Sequence, residues 1–299
     1  MPRPEVPEPY DRAKPRDAGA APESVTGVRV RVQESAVARE CGEPRILRPS
    51  GQPRALDEIG GGALLGASLD RALDSLWMAY QPIVDAVAGS LFGYEALLCS
   101  DEPALCGPGA VLDAAERLGR VHDLGRAVRC RAIEPMQNAP PPALLFINLH
   151  PMELTDEELT ALSAPLTSMA SRVVLEITER SSLEWIDDIP FRLAQLRELG
   201  FRIAIDDLGV GYSGLASFAQ LEPEFVKLDK SLIRDVHKNP IKQKLVRSMT
   251  ALCKDMGITV IAEGIELIEE RDTIVELGCD LLQGYLLAQP GRAFPELLP

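Results

Sequence analysis

Glu95, Asn148, Glu176, Asp206 with Asp207, Glu263 and Gln283 each close a short apolar run, and Lys227 holds an eighth such position. One acid at a strand end is usually a helix N-cap. Capping does not explain so many in register. A ring of carboxylates without counter-charge is costly, and bound cations are the usual remedy. The candidate ligands are oxygens, with no Cys/His cluster, which suits Mg²⁺ or Mn²⁺. Two such ions about 3.5–4 Å apart activate water and stabilise a leaving alkoxide together. The pattern therefore points to a metal-dependent enzyme acting on a phosphate-bearing substrate. His122, His150 and His237 are the chain's three histidines. None has a triad or zinc partner in the sequence.

Positioning these side chains requires a repeating scaffold. Strand-like runs fall at 78–85, 91–98, 143–149, 172–177, 202–206, 225–229, 258–263 and 281–286. Helical periodicity falls at 109–118, 122–137, 156–168, 185–199, 213–219, 240–256 and 267–277. Gly200, Gly257 and Gly278 stand where helix C-caps belong. This rhythm predicts an α/β fold, a TIM-like (β/α)₈ barrel whose site lies at the C-terminal strand ends. The short connection 86–90 predicts a hairpin, hence one antiparallel strand. An amphipathic helix carrying Leu69, Leu73, Leu76 and Trp77 on one face opens the domain. Trp77 and Trp185 read as core or interface packing. Lys227, between Val226 and Leu228, has a half-buried stem, and a buried lysine near acids is a functional candidate.

Residues 1–66 hold nine of the 24 prolines, with ten basic and ten acidic side chains, so the net charge of −14 falls on the rest. They read as a disordered, low-complexity tail ending near Gly60-Gly61-Gly62, with the barrel at 67–299. A strongly acidic domain disfavours long nucleic acid. No apolar run approaches the roughly 20 residues of a membrane span, and no secretory signal opens the sequence. The six cysteines lack zinc spacing, as expected of reduced thiols in the cytoplasm.

The motifs carry a resemblance. Tyr80-Gln81-Pro82, Glu95-Ala96-Leu97, Asn148-Leu149-His150-Pro151, Glu176-Ile177-Thr178-Glu179, Asp206-Asp207-Leu208-Gly209, Lys227-Leu228-Asp229, Glu263-Gly264-Ile265-Glu266 and Gln283-Gly284-Tyr285 follow in order over about 67–291. Together they resemble the EAL domain family of cyclic di-GMP phosphodiesterases. The resemblance implies hydrolysis of cyclic di-GMP to linear pGpG with two Mg²⁺ or Mn²⁺ per site, and a homodimer. It implies metal ligation by Glu95, Asn148, Glu176, Asp206, Asp207 and Glu263, with Glu95, Lys227, Glu263 and Asp207 catalytic. It implies ligand contacts from Gln81, Gln283 and Leu97, and loop support from Glu179 and Glu266.

Two departures stand out. Cys99 occupies the place of the family's phosphate-gripping arginine. Leu208 and Val210 replace the usual Phe and Thr in the next loop. These departures favour an alternative, a catalytically weak cyclic di-GMP receptor; a scaffold that has lost the ligand is a third class. The string Gly209–Gly214 also reads G-x-G-x-x-G, but Asp206 and Asp207 beside it would repel a pyrophosphate, so the glycines are read as loop hinges.

Overall fold

The computed structural model describes residues 58–139, 142–178, 183, 186–209, 214–292 and 294–297. The segment expected to be a disordered tail lies outside the described residues as far as 57. The first helix, α1 (Glu58–Ser75), begins before the expected boundary and includes Gly60, Gly61 and Gly62, where a linker end was expected. Leu69, Ala72 and Leu76 are buried on it or just after it.

Eight strands close into a barrel in chain order: β1 (Trp77–Asp85), β2 (Leu91–Cys99), β3 (Leu144–Asn148), β4 (Val173–Thr178), β5 (Arg202–Leu208), β6 (Phe225–Leu228), β7 (Thr259–Ala262) and β8 (Leu281–Leu282). β1 runs antiparallel to both neighbours and the other pairs are parallel. The predicted hairpin forms because the Asp85 carboxylate accepts from the Val87 and Ala88 amides at 2.9 and 2.7 Å, while Gly89 takes φ +63°.

The longer helices that follow are α2 (Pro108–Arg117), α3 (Val121–Ile133), α4 (Ile189–Leu199), α5 (Gly214–Leu221), α6 (Pro240–Asp255) and α7 (Ile268–Glu276), with a single helical turn at Lys230–Ile233. α6 starts sharply because Asn239 accepts from the Ile241 and Lys242 amides and Pro240 needs no donor partner. Gly200, Gly257 and Gly278, at φ +104°, +75° and +94°, follow α4, α6 and α7 as expected.

Several expectations need correction. Trp77, expected on the opening helix, begins β1, and the helix read at 122–137 ends at Ile133 before a 3-10 turn. The helix read at 156–168 is instead two stretches of 3-10 turn, Glu157–Leu159 and Pro165–Arg172. Pro165 lacks the N–H needed to continue a helix from 160–164. The helix read from 185 begins at Ile189, ahead of Pro190. The last strand stops at Leu282, not 286, because the chain turns against the β7 loop at Gly284.

That turn is a close approach of backbone to backbone. A Cβ on Gly284 would lie 2.1 Å from the Ile265 carbonyl oxygen and 2.3 Å from its nitrogen. Backbone cannot move aside as a side-chain tip can. Gly284→Ala is therefore expected to destabilise the fold by about 2–4 kcal/mol, read as a lower melting temperature. An unchanged melting temperature would show that the loop relaxes freely.

Side chains alternate along a strand, and this divides the core in two. Outward residues pack against the helices. Inward residues Ile83, Leu144, Phe146, Val174, Ala204, Phe225, Ile261 and Leu281 form a buried apolar floor. Phe146 and Phe225 meet edge-on at 5.3 Å. One step of two residues above this floor, each strand or strand end supplies a polar residue.

Candidate functional site

From Phe146, Val174, Ala204, Phe225, Ile261 and Leu281, two residues further on, come Asn148, Glu176, Asp206, Lys227, Glu263 and Gln283. From Gly93 comes Glu95. On antiparallel β1 the count runs backwards, from Ile83 to Gln81, which pairs with Glu95 across the ladder. The ladder continues beyond the short strands: Glu263 N donates to Leu228 O at 3.2 Å, and Gln283 N to Ala262 O at 2.9 Å. Eight residues, one per strand, thus share one level.

Asp207 breaks the alternation. Between β5 and β6 the register shifts, so that Asp206 and Asp207 together stand between pairs Ile205–Val226 and Leu208–Leu228. This is a bulge. Asp207 adopts φ +57°, a left-handed conformation disfavoured by roughly 1–2 kcal/mol outside glycine. The bend brings two consecutive carboxylates to one side. Oxygens of Asp206, Asp207 and Glu263 all lie within 4.8 Å of one another.

Lys227 sits at the centre, fully buried. Its ammonium lies 2.6 Å from Glu263, 2.9 Å from Glu176, 3.1 Å from Glu95 and 3.4 Å from Asp206. Lys227 Nζ, both oxygens of Glu176 and Asp206 Oδ1 are buried without a properly angled hydrogen bond. Glu95 is held differently. Gln283 Nε2 donates to it at 2.7 Å and Asn148 Nδ2 at 3.0 Å. Gln283 Nε2 also donates to Gln81 Oε1 at 3.1 Å, and Gln81 Nε2 to Ala288 O at 3.3 Å.

The charges follow from this geometry. Burial raises the Glu176 and Glu263 carboxyls well above the usual range, more than Lys227 lowers them. Asp206 is raised for the same reason. Burial would also raise Glu95, but Lys227 and the amide hydrogen bonds pull it below its ordinary value. Burial disfavours the Lys227 ammonium, yet the four acids outweigh it and hold the group protonated. One cation cannot neutralise four carboxylates plus Asp207. The remainder requires protons or further cations. An excess of crowded carboxylates over resident cations, in an all-oxygen set, fits a divalent metal.

The other expected residues separate. Leu97, on the same face of β2 as Glu95, is half-buried beside Ala79. Glu179 and Val210 lie outside the described residues. Glu266 is exposed, its carboxylate 3.6 Å from Arg234 in the loop after β6. The brace is Glu270, buried and absent from the sequence reading. It accepts from the amides of Asp235 at 2.8 Å, Glu266 at 3.1 Å and Leu267 at 3.2 Å, tying the β6 and β7 loops together. Its signal was a Glu at the third position of a helix, half of a capping box. His150 is structural, its Nδ1 accepting from the Met152 amide at 3.1 Å. The segment after Asn148 is pinned by Arg129 to Glu153 and Asp156, all buried.

A family model of the EAL domain matches residues 67–290. The chain is 33% identical over 224 residues to the cyclic di-GMP phosphodiesterase RocR of Pseudomonas aeruginosa, covering 71% of this chain and 56% of RocR. It is similar to the manganese/cy-diGMP complex of Klebsiella pneumoniae BlrP1, with TM-score 0.67 and 31% identity over 75% of this chain and 58% of that one. It is similar to the PaMucR phosphodiesterase in complex with c-di-GMP, with TM-score 0.66 and 30% identity over 76% of this chain and 97% of that one. The chain spans 28–56% of the length of curated relatives such as these. No described helix is long and apolar enough to cross a membrane.

Proposed function

The chain belongs to the EAL domain family, and on that premise we propose that it hydrolyses cyclic di-GMP to linear pGpG in a reaction dependent on two Mg²⁺ or Mn²⁺ ions. The observation that carries this reading is the single ring of one polar side chain per strand, with Lys227 among four carboxylates, Glu95 and Glu176 buried and Asp206 and Glu263 partly open to solvent. Glu95, Asn148, Glu176, Asp206, Asp207 and Glu263 would hold the metals. When bound, these supply an acidified water and charge stabilisation for the leaving oxygen.

The chain's own residues do the rest. Gln283 and Asn148 fix the Glu95 carboxylate by donating to both its oxygens. Gln81 fixes Gln283 in turn. Lys227 keeps part of the ring's negative charge compensated at every stage, from a place solvent does not reach. The apolar floor beneath excludes water from below and keeps the local dielectric low, which strengthens every charge interaction above it. Glu270 holds the loops that follow Lys227 and Glu263.

Incubating the purified protein with cyclic di-GMP and each metal, and separating products by chromatography, tests the reading. The expected product is pGpG. Its absence with both metals, in protein shown to be folded, overturns the enzymatic reading. Cys99 favours one alternative, a receptor that binds cyclic di-GMP without turnover. Pairing of two barrels and a cytoplasmic location belong to the same proposal. Exposed Ile241, Leu245 and Leu252 along α6, with Met256 just past its end, support the pairing.

A further inference from the structure

A cyclic dinucleotide carries two phosphates, while the ring that would receive it is lined by acids. Lys227 cannot grip the ligand directly, being fully buried and surrounded by carboxylates. At position 99, where the resemblance places an arginine, a buried cysteine stands. Metals held by the ring would meet only the phosphate that reaches it, so a cation for the second phosphate must come from elsewhere on the rim.

Cys99 pairs across the ladder with Trp77, the first residue of β1. Over the Trp77 ring lies the guanidinium of Arg292, 3.8 Å from the ring centroid. Stacking at this distance is a cation–π contact, and it leaves the edge N–H groups of the guanidinium available. Trp77 Nε1 donates to Asp101 at 3.0 Å, and Arg292 Nη2 lies 3.8 Å from the same carboxylate. The Arg292 side chain is 58% exposed.

The segment carrying Arg292 is anchored. Gly291 pairs with Tyr80 through two backbone hydrogen bonds, at 2.7 and 3.1 Å. Two residues after Arg292, the Phe294 ring lies 4.8 Å from both Tyr80 and Tyr94. On β1, Trp77, Ala79 and Gln81 share a face by alternation. β1 runs antiparallel, so Trp77 lies on the mouth side of Gln81, about 13 Å along the strand. Arg292 therefore stands well above the ring.

We propose that Arg292, held on Trp77, grips the outward, non-scissile phosphate of the ligand and takes the role left open by Cys99. The proposal rests on cyclic di-GMP being the ligand. Asp101 occupies the guanidinium while no anion is bound, at a separation longer than a hydrogen bond. A phosphate reaching the edge N–H groups displaces it with shorter, bidentate contacts.

The test is binding of cyclic di-GMP to metal-free protein by calorimetry, where turnover cannot interfere, alongside steady-state kinetics with Mn²⁺. Arg292→Ala is expected to weaken binding by about ten- to a hundredfold, the worth of a charged hydrogen bond. In kinetics the loss falls on KM rather than kcat. Arg292→Lys retains part of the affinity, and Cys99→Arg added to Arg292→Ala restores it. Melting temperature checks the fold, which an exposed side chain should barely affect. Affinity of Arg292→Ala within about twofold of wild type overturns this inference alone. Wild-type protein that binds no cyclic di-GMP, either metal-free or with Mn²⁺, overturns the ligand assignment and this inference with it.

Discussion

Lys227→Met leaves four carboxylates facing one another with no resident cation, and the metal-free protein is expected to lose about 3–5 kcal/mol of stability. For a domain of this size that corresponds to a melting temperature lower by roughly 10 °C or more. Methionine preserves the stem packing between Val226 and Leu228, so the loss reports charge and not volume. The pH dependence has a definite sign. Glu176, Glu263 and Asp206 already have raised carboxyl values in the folded state, and losing Lys227 raises them further. A group raised by folding contributes its full stability below its unfolded value and loses it as pH rises through the folded one. The defect should therefore be small near the ordinary carboxylate range and grow towards neutral pH. Mn²⁺ should recover part of it, since binding only to the native state stabilises that state. Thermal unfolding across pH, with and without Mn²⁺, checks this; a melting temperature equal to wild type at neutral pH would refute it.

Asp206→Asn acts in the opposite direction on stability and abolishes turnover. It removes one charge from an overcrowded cluster, so the metal-free fold should melt at the same temperature or slightly higher. It also removes one of two carboxylates that the β5 bulge brings together. Residues that only hydrogen-bond a metal's ligands affect activity by about 10–100-fold, and loss of a direct ligand should exceed that. Release of pGpG measures the effect; activity within about tenfold of wild type would show that Asp206 is not a ligand. A linked measurement follows from the raised carboxyls. The metal-free site carries protons that a metal must expel, so Mn²⁺ affinity should rise with pH. Calorimetry in buffers of different ionisation enthalpy counts the protons, and Asp206→Asn should release fewer.

Much of this site was legible because barrel geometry converts sequence spacing into position. Glu176 follows Val174, and Glu263 follows Ile261, by the two residues that separate one inward side chain from the next. A polar residue closing an apolar run was therefore a statement about height in the barrel. Spacing alone was insufficient where it does not set position. Gln81 lies on the strand that runs backwards, so it precedes its floor residue and only family resemblance revealed it. Asp207 joins Asp206 through a bulge, which alternation alone would deny. Glu266 has the right type and neighbourhood, but its side chain meets Arg234 on the surface, while Glu270, one helical turn on, does the bracing. Trp77 carries no motif; its partner Arg292 is 215 positions away, and only strand pairing brings them together. The apparent helix at 156–168 has suitable composition, yet Pro165 interrupts it.

The contact between Gln283 and Glu95 joins residues 188 positions apart, and that between Gln283 and Gln81 spans 202. Such pairings form slowly, because the intervening chain must be ordered before they bring any gain. The Gln283 amide that orients Glu95 thus arrives only when the last strand seats against the first, whereas Asn148 comes with the neighbouring β3. An unfinished or misclosed barrel holds its acids without their aligners. Metal uptake should therefore lag behind the recovery of helical signal during refolding, making the bound ion a reporter of topological completion.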